Sequence, residues 1–103
     1  MSDATDTQTD ENCQTRTVVV TNRTGLHSRP CHAIVEALGK HRAKVTIQKD
    51  SQVADAASIL QLMSLAASQG TELVLSATGP DAAEALSELV RMFGDEFGVS
   101  YSS

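Results

Sequence analysis

The spacing of apolar residues changes repeatedly along this 103-residue chain, and this pattern restricts its fold more than any other feature. Between Ala43 and Lys49, Val45 and Ile47 alternate with polar neighbours, which is typical of a half-buried strand. Three stretches have helical spacing and are predicted to be amphipathic helices: residues 30–40, 58–68 and 82–93. Three more are predicted strands because they are β-branched, apolar or placed to close a hairpin: residues 17–20, 52–54 and 72–77.

The resulting order of elements is β-α-β-β-α-β-α. Helices packed on one face of a sheet are the natural arrangement for such an alternation. We therefore predict an α/β (α+β) open-faced sandwich, with three helices on one face of a four-stranded, mostly antiparallel sheet. Pro30 is expected at the first helical position and Gly70 at a left-handed cap that ends the second helix.

Residues 1–14 contain almost nothing apolar and are rich in Asp, Thr, Gln and Ser. Such a segment cannot offset its ordering entropy, so we predict a disordered acidic tail over 1–14 and one domain over 15–103. Apolar residues make up 41% of the chain, which is enough for an aliphatic core of Val, Leu, Ile, Met and Ala.

Composition excludes several classes of protein. No apolar run approaches the ~18 residues of a membrane span, and the N-terminus lacks the pattern of a signal peptide. Two cysteines are too few for a disulfide scaffold, so a reducing, cytoplasmic setting is the simpler interpretation. A net charge of −5 with only three aromatic residues argues against nucleic-acid binding.

The net charge is unevenly distributed along the sequence. Residues 1–16 carry a net −3, residues 17–49 a net +5 and residues 50–103 a net −7. A basic block within an acidic chain indicates a local anion site or an acidic partner, unless the charges are simply solvated.

The residues with the clearest chemistry are Gly25-Leu26-His27-Ser28-Arg29-Pro30. This segment places a histidine immediately before a predicted helix, where backbone N–H groups lack partners and the helix dipole is positive. A phosphoryl group on His27 would meet those N–H groups and the guanidinium of Arg29. An unprotonated imidazole is a nucleophile near neutral pH, and Gly25 permits a tight turn before it. The alternative is that His27 caps the helix and Arg29 is a solvated charge.

The second predicted helix begins with Ser58-x-x-Gln61, a capping-box pattern that explains the serine structurally. Its five apolar residues cover an arc too wide for one buried stripe. We predict that Leu62 and Leu65 face the sheet and that the others form a partner surface: Ile59, Leu60 and Met63.

These motifs resemble the HPr family, the histidine-containing phosphocarriers of the bacterial phosphoenolpyruvate-dependent sugar phosphotransferase system. The resemblance runs from about Thr17 to Phe97. It is carried by the segments 22–30 and 58–65, which read Asn-Arg-Thr-Gly-Leu-His-Ser-Arg-Pro and Ser-Ile-Leu-Gln-Leu-Met-Ser-Leu. The family fold is the β-α-β-β-α-β-α open-faced sandwich.

The resemblance implies roles for individual residues. His27 matches the histidine that accepts phosphate on Nδ1 from enzyme I and passes it to IIA proteins. Arg29 matches the arginine that contacts the phosphate, and Ser28 lies at the start of the helix. Ser58 matches the serine that HPr kinase/phosphorylase modifies. The remaining matches form an apolar docking patch: Ile59, Leu60 and Met63.

Some positions depart from the family pattern. Cys31 and His32 replace residues that are often Ala, and Glu36 stands where many relatives have a basic residue. Ala57 precedes Ser58 where Lys is common, and Ala66 replaces a frequent Gly.

Two functions remain open at this point. The first is a monomeric phosphocarrier, itself not an enzyme and without metal or cofactor, since no His or Cys pair has zinc-site spacing. The second is a regulatory binding module that works mainly through Ser58 and not in sugar uptake.

Overall fold

The computed structural model describes residues 13–95 and contains four strands and three helices in the predicted order. The strands are β1 (Cys13–Val19), β2 (Lys44–Lys49), β3 (Gln52–Asp55) and β4 (Glu72–Thr78). The helices are α1 (Ser28–Leu38), α2 (Ile59–Ser64) and α3 (Ala82–Gly94). The predicted element order is confirmed.

The four strands form one sheet in the order β1-β4-β2-β3, and all three pairings are antiparallel. Alternate residues of β2 and β4 are buried on the face that the helices cover, which follows from the period-two side-chain direction of a strand. The predicted open-faced α+β sandwich is therefore confirmed.

The core is aliphatic, as its composition predicts. Side chains from the inner face of the sheet pack against all three helices, and Phe93 is the one aromatic residue within the described range that joins them. The largest fully buried aliphatic residues come from both layers: Ile34, Ile47, Leu62, Leu73, Leu75, Leu86 and Leu89.

Strand β1 is longer than the sequence indicates. It begins at Cys13 and not at Thr17, and Cys13 and Gln14 pair with Thr78 and Ala77 of β4. The first half of β1 is a polar edge strand that gains its hydrogen bonds from β4, so it carries no apolar signal of its own. These two residues fall inside the predicted tail, and residues 1–12 and 96–103 lie outside the described part of the chain.

Helix α1 begins two residues earlier than predicted. His27 is its N-cap residue with extended backbone angles, Ser28 is the first helical residue and Pro30 is the third. Proline fits there because N–H groups in the first turn have no intrahelical partner. The expectation that Pro30 occupies the first helical position is wrong. Because the helix begins at Ser28, His27 lies immediately before its first residue.

Helix α2 is shorter than the predicted 58–68. It ends because Leu65 N–H donates to Leu62 O, Ala66 N–H donates to Met63 O, and Ala66 then adopts a left-handed conformation (φ +52°). The ammonium of Lys49 donates to Leu65 O at 2.9 Å and satisfies a free carbonyl of this end. Ala66, and not Gly70, therefore provides the left-handed residue that follows the helix.

Within residues 13–95, no helix combines the length and apolar composition that crossing a bilayer requires.

Candidate functional site

The loop between β1 and α1 is held by hydrogen bonds at both ends. Gly25 N–H donates to Asn22 O at 3.1 Å, and Leu26 N–H donates to Ala67 O at 2.8 Å. Gly25 has φ +68°, and a Cβ there would collide with the same Ala67 carbonyl. Only glycine avoids both the strain and the collision, so the sequence dictates a fixed backbone immediately before His27.

His27 is half-buried, and its two ring nitrogens have different environments. Nε2 is buried and has no hydrogen-bond partner. The ring makes no side-chain capping bond to the helix, and of its two nitrogens only Nε2 is cut off from solvent, which leaves Nδ1 as the accessible one. A reagent approaching from outside therefore meets Nδ1 first.

The start of α1 supplies positive potential beside this ring. The N–H groups of Ser28 and Arg29 precede the first intrahelical bonds, whereas Pro30 has no N–H group to offer. Arg29 is exposed, and none of the ion pairs found within residues 13–95 involves it. The guanidinium is therefore free to pair with an anion on the neighbouring histidine.

Cys31 lies one turn beyond His27 and does not compete as a nucleophile. It is fully buried, and burial raises the pKa of its thiol to about 11, so the thiol stays protonated at neutral pH. Its sulfur lies 3.8 Å from Leu26 O.

Ser58 is the N-cap residue of α2, and its Oγ accepts the N–H of Gln61 at 3.2 Å. The return half of the capping box is not formed, because Gln61 Oε1 accepts from Asp55 N–H at 2.8 Å and Ser58 N–H donates to Asp55 O. Ser58 is therefore a structural cap in the unmodified chain.

Helix α2 exposes part of its apolar surface. Leu62 is fully buried and Leu65 nearly so, as predicted, whereas the side chains of Leu60 and Met63 are 80% and 41% exposed. Ile59 is partly buried against the core. The predicted partner surface thus consists of Leu60, which is largely exposed, Met63, which is partly exposed, and Ile59, which is partly buried.

The starts of α1 and α2 lie next to each other. Ser28, Arg29, His32 and Ile59 line one shallow cleft, and the two helices pack together. The structure therefore brings the predicted residues of both helices into one region, with Ser58 adjacent in sequence to a residue of the cleft wall.

The basic block of residues 17–49 does not form one surface at this site. Lys40 pairs with Glu88 at 3.3 Å, Lys49 caps α2, and Arg42 and Lys44 lie beyond the other end of α1. An 11-residue helix is about 16 Å long, so Lys40, Arg42 and Lys44 are well separated from His27. Beside His27, Arg29 and the start of α1 supply positive charge.

A second histidine lies just beyond the other end of α1. His41 Nδ1 is 3.2 Å from Asp81 Oδ2, and Nε2 is 2.8 Å from Glu88 Oε1. The hydrogen bond to Glu88, followed by the contact with Asp81, raises the pKa of His41. The bond from His41 lowers the pKa of Glu88, and the N–H of Arg42 lowers the pKa of Asp81 most strongly.

Asn22 holds the loop before His27, although no role was predicted for it from the sequence. Its side chain is fully buried, and Nδ2 donates to Gly25 O at 2.6 Å. The signal was present in the spacing Asn22-x-x-Gly25, because Asn often bonds the backbone of a following turn. The carbonyl of Ala67 accepts the N–H of Leu26 but lies far from it in the sequence, so no local sequence pattern predicts this bond.

Comparison with known proteins agrees with this architecture. The PTS-HPr family model, described as the PTS HPr component phosphorylation site, matches residues 14–95. Phosphocarrier protein HPr of Treponema pallidum is 40% identical over 82 residues, which cover 80% of this chain and 93% of the relative. HPr-like protein Crh of Bacillus subtilis is 40% identical over 79 residues, which cover 77% and 93%.

A crystal structure of HPr-C-His from Thermoanaerobacter tengcongensis superposes with a TM-score of 0.81 and 36% identity. The match covers 85% of this chain and 99% of that one. The sequence match and the shared fold extend over all the described elements, including both helices that carry the candidate site. The chain therefore belongs to the HPr family of phosphotransferase-system phosphocarriers.

Proposed function

We propose that this chain receives a phosphoryl group on Nδ1 of His27 from enzyme I and passes it to IIA-type proteins. The observation that carries the proposal is the unequal exposure of the two ring nitrogens, with Nε2 buried and Nδ1 facing solvent. Membership of the HPr family supports a phosphocarrier role in general.

The residues already described can supply the groups that this phosphoryl transfer requires. The lone pair of Nδ1 forms a bond to phosphorus, the bond from phosphorus to the donor breaks, and its electron pair stays with the donor. The N–H groups of Ser28 and Arg29 and the Arg29 guanidinium then stabilise the phosphoryl oxygens. His27 is accessible and lies on no deep cleft, so the same geometry allows a second protein to remove the group. The donor supplies the phosphoryl group, so the chain itself requires no cofactor and is not an enzyme.

The exposed side chains of α2 support a docking role. Leu60 and Met63 present apolar surface, and Ile59 lines the cleft shared with Arg29. A partner that covers this cleft would bury apolar area while its own active site reaches His27.

Incubation with phosphoenolpyruvate and enzyme I tests the carrier function. We expect an acid-labile adduct with the mass of one phosphoryl group on the wild type and on His41→Ala, and none on His27→Ala. Absence of the adduct from the wild type, or its persistence in His27→Ala, would contradict the proposal. Circular dichroism of each variant verifies that the loss is not caused by unfolding.

We also propose that phosphorylation of Ser58 by an HPr kinase/phosphorylase reduces docking. The phosphate would sit next to Ile59 at the edge of the cleft that contains Arg29. Added negative charge beside the apolar surface disfavours burial of that surface and competes for Arg29. The cap itself is retained, because a phosphoryl or carboxylate oxygen still accepts the N–H of Gln61.

Ser58→Asp mimics this modification. We expect slower phosphotransfer from enzyme I with a stability close to wild type, whereas Ser58→Ala loses the cap and about 1 kcal/mol of stability but transfers normally. Ser51→Asp, which adds the same charge on the exposed β2–β3 turn, serves as the control. Equal transfer rates in Ser58→Asp and Ser51→Asp would contradict regulation at this site.

A regulatory module that acts mainly through Ser58, and not in sugar uptake, is a second candidate. It is favoured by the 40% identity to Crh, the Bacillus subtilis catabolite repression HPr. The phosphorylation experiment above separates the two, since the module requires no adduct on His27. The expectation of a monomer stays a prediction, because an HPr dimer from Thermoanaerobacter tengcongensis has been crystallised.

A further inference from the structure

A groove lies between the end of α1 and the start of β2, at the end of the helix away from His27. It has a volume of about 460 Å³, and most of its wall is apolar. The apolar side chains come from α1, from the start of β2 and from the segment after β3: Val35, Leu38, Ala43, Val45 and Ala57. No part of residues 13–95 fills this groove, so it is open to another segment or molecule.

Two cationic side chains of this groove have no partner among the described residues. Arg42 and Lys44 are exposed, and neither side chain takes part in a hydrogen bond or an ion pair within residues 13–95. The other charged groups of the groove are engaged, because His41 is bonded to two carboxylates and Asp55 Oδ1 accepts the N–H of Ala57. Two free cations against the one carboxylate of Asp55 favour an anionic occupant.

The register of the sheet brings the start of the described chain close to these cations. Cys13 of β1 is paired with Thr78 of β4, and Lys44 of β2 is paired with the same Thr78. Neighbouring strands lie about 4.8 Å apart, so about 10 Å separates the backbones of Cys13 and Lys44. Residues 1–12 therefore join the fold beside the groove.

The composition of residues 1–12 complements the charge of the groove. They contain neither Lys nor Arg, and they carry four carboxylates: Asp3, Asp6, Asp10 and Glu11. Glu11 and Asp10 precede Cys13 by two and three residues, and an extended chain spans about 3.6 Å per residue at most. About 7 and 11 Å of chain are therefore available, and with their side chains both residues can reach Lys44.

We propose that residues 1–12 bind this groove of their own chain, with Asp10 and Glu11 paired to Lys44 and Arg42 at its cationic rim. Weak contacts suffice, because a short tether gives the segment an effective concentration in roughly the millimolar range. A polar segment without a core of its own can bind in this way. The contact closes the groove to other acidic molecules in the free protein.

Cross-linking of the full chain with a water-soluble carbodiimide tests this contact. The reagent joins a carboxylate to a nearby amine as an amide and takes up the water that is lost. The chain has three lysines, so the linked amine is easily identified: Lys44 lies at the groove, Lys40 pairs with Glu88, and Lys49 reaches the end of α2. In mass spectra of the digested monomer, we expect links from Asp10 or Glu11 to Lys44 and none to Lys49.

Arg42→Gln separates an ion-paired contact from mere proximity along the chain, because it removes one cation and keeps the Lys44 amine. The yield of the Lys44 link should fall about 2- to 5-fold, the effect expected of one solvated ion pair. Arg91→Gln is the matched control, since it removes an exposed cation on α3 that does not line the groove. The wild-type yield should also fall between about 0.01 and 1 M NaCl, as the screening length shortens from about 30 to 3 Å.

Two kinds of result would overturn the proposal. The first is an equal yield of the Lys44 link in Arg42→Gln and Arg91→Gln, or links to Lys49 as frequent as those to Lys44. The second comes from a mixture of ¹⁴N- and ¹⁵N-labelled chains. Links between chains of different label would show that residues 1–12 of a second copy occupy the groove, whereas links within one label only support the intramolecular contact.

Discussion

Helix α1 has a histidine near each end, and the two side chains have opposite hydrogen-bonding environments. His27 caps the start with no side-chain hydrogen bond and one nitrogen open to solvent. His41 follows the end with both nitrogens bonded to carboxylates, Asp81 and Glu88, on α3 and the turn before it. The same residue type keeps an accessible nitrogen at one end and serves as a structural link at the other.

The difference lies in the charges that each ring meets. Two carboxylates surround His41, so protonation is favourable and both ring N–H groups act as donors. His27 faces the positive start of α1 and Arg29, an environment that favours an added anion. A histidine near neutral pH can serve either purpose, and the neighbouring residues decide which one.

The largest effect on stability and on phosphotransfer is expected from Gly25→Ala, at the His27 end of α1. The new Cβ would collide with Ala67 O and hold an L residue at φ +68°, so we expect a loss of about 2–4 kcal/mol and displacement of His27. Gly70→Ala is the matched control, because φ is +92° there but nothing lies near the added carbon. It should cost about 1–2 kcal/mol and leave phosphotransfer intact. Urea unfolding and the transfer assay measure both effects, and equal losses would contradict the close packing before His27.

The next largest effect is the pH dependence of folding stability that His41 and its two carboxylate partners produce. The raised pKa of His41 means that its contribution to stability is present below its unfolded pKa of 6.5 and disappears as pH rises through the folded value. The lowered pKa values of Asp81 and Glu88 give contributions that disappear as pH falls below about 4. The cluster should therefore stabilise most between about pH 5 and 6.5.

His41→Gln tests this window. Its urea midpoint should lie below that of the wild type at pH 6, and the gap should narrow by pH 9. His27→Gln is the control variant, because the His27 side chain has no carboxylate partner in the described part of the chain. A constant difference between wild type and His41→Gln across this range would contradict the role of the ion pairs.

The smallest effect is expected from Lys40, the outer member of the same cluster. Its side chain is 68% exposed and reaches Glu88 at 3.3 Å. Exposed pairs contribute little after solvent screening, so Lys40→Ala should lose about 0.5 kcal/mol or less. A loss as large as that of His41→Gln at pH 6 would contradict this ranking, because the lysine would then hold this end of α1 to α3 as strongly as the histidine.

Much of this fold could be predicted because its elements have clear local patterns. Val45 and Ile47 marked a strand, and the apolar faces of α1 and α3 marked helices. What could not be predicted depended on partners distant in sequence. The polar half of β1 is a strand because β4 lies beside it, and α2 stops early because Ala66 turns left-handed and Lys49 reaches its end.

The same division applies to the site. His27 and Arg29 were predicted as site residues from a contiguous segment, and the exposure of Leu60 and Met63 was predicted from their positions on the helix. The roles of Asn22 and the Ala67 carbonyl required the folded loop, since they act through one buried amide and one backbone oxygen. Likewise, the basic block proved to be spread over the two ends of α1 and the end of α2, which a count of charges along the sequence cannot reveal.

The central claim is that Nδ1 of His27 receives the phosphoryl group while Nε2 keeps its proton. Phosphorus–nitrogen correlation NMR of the ¹⁵N-labelled, phosphorylated protein tests it most directly. We predict phosphorus bonded to Nδ1 of His27 with a protonated Nε2. Phosphorus on Nε2 of His27, or on His32 or His41, would contradict the account.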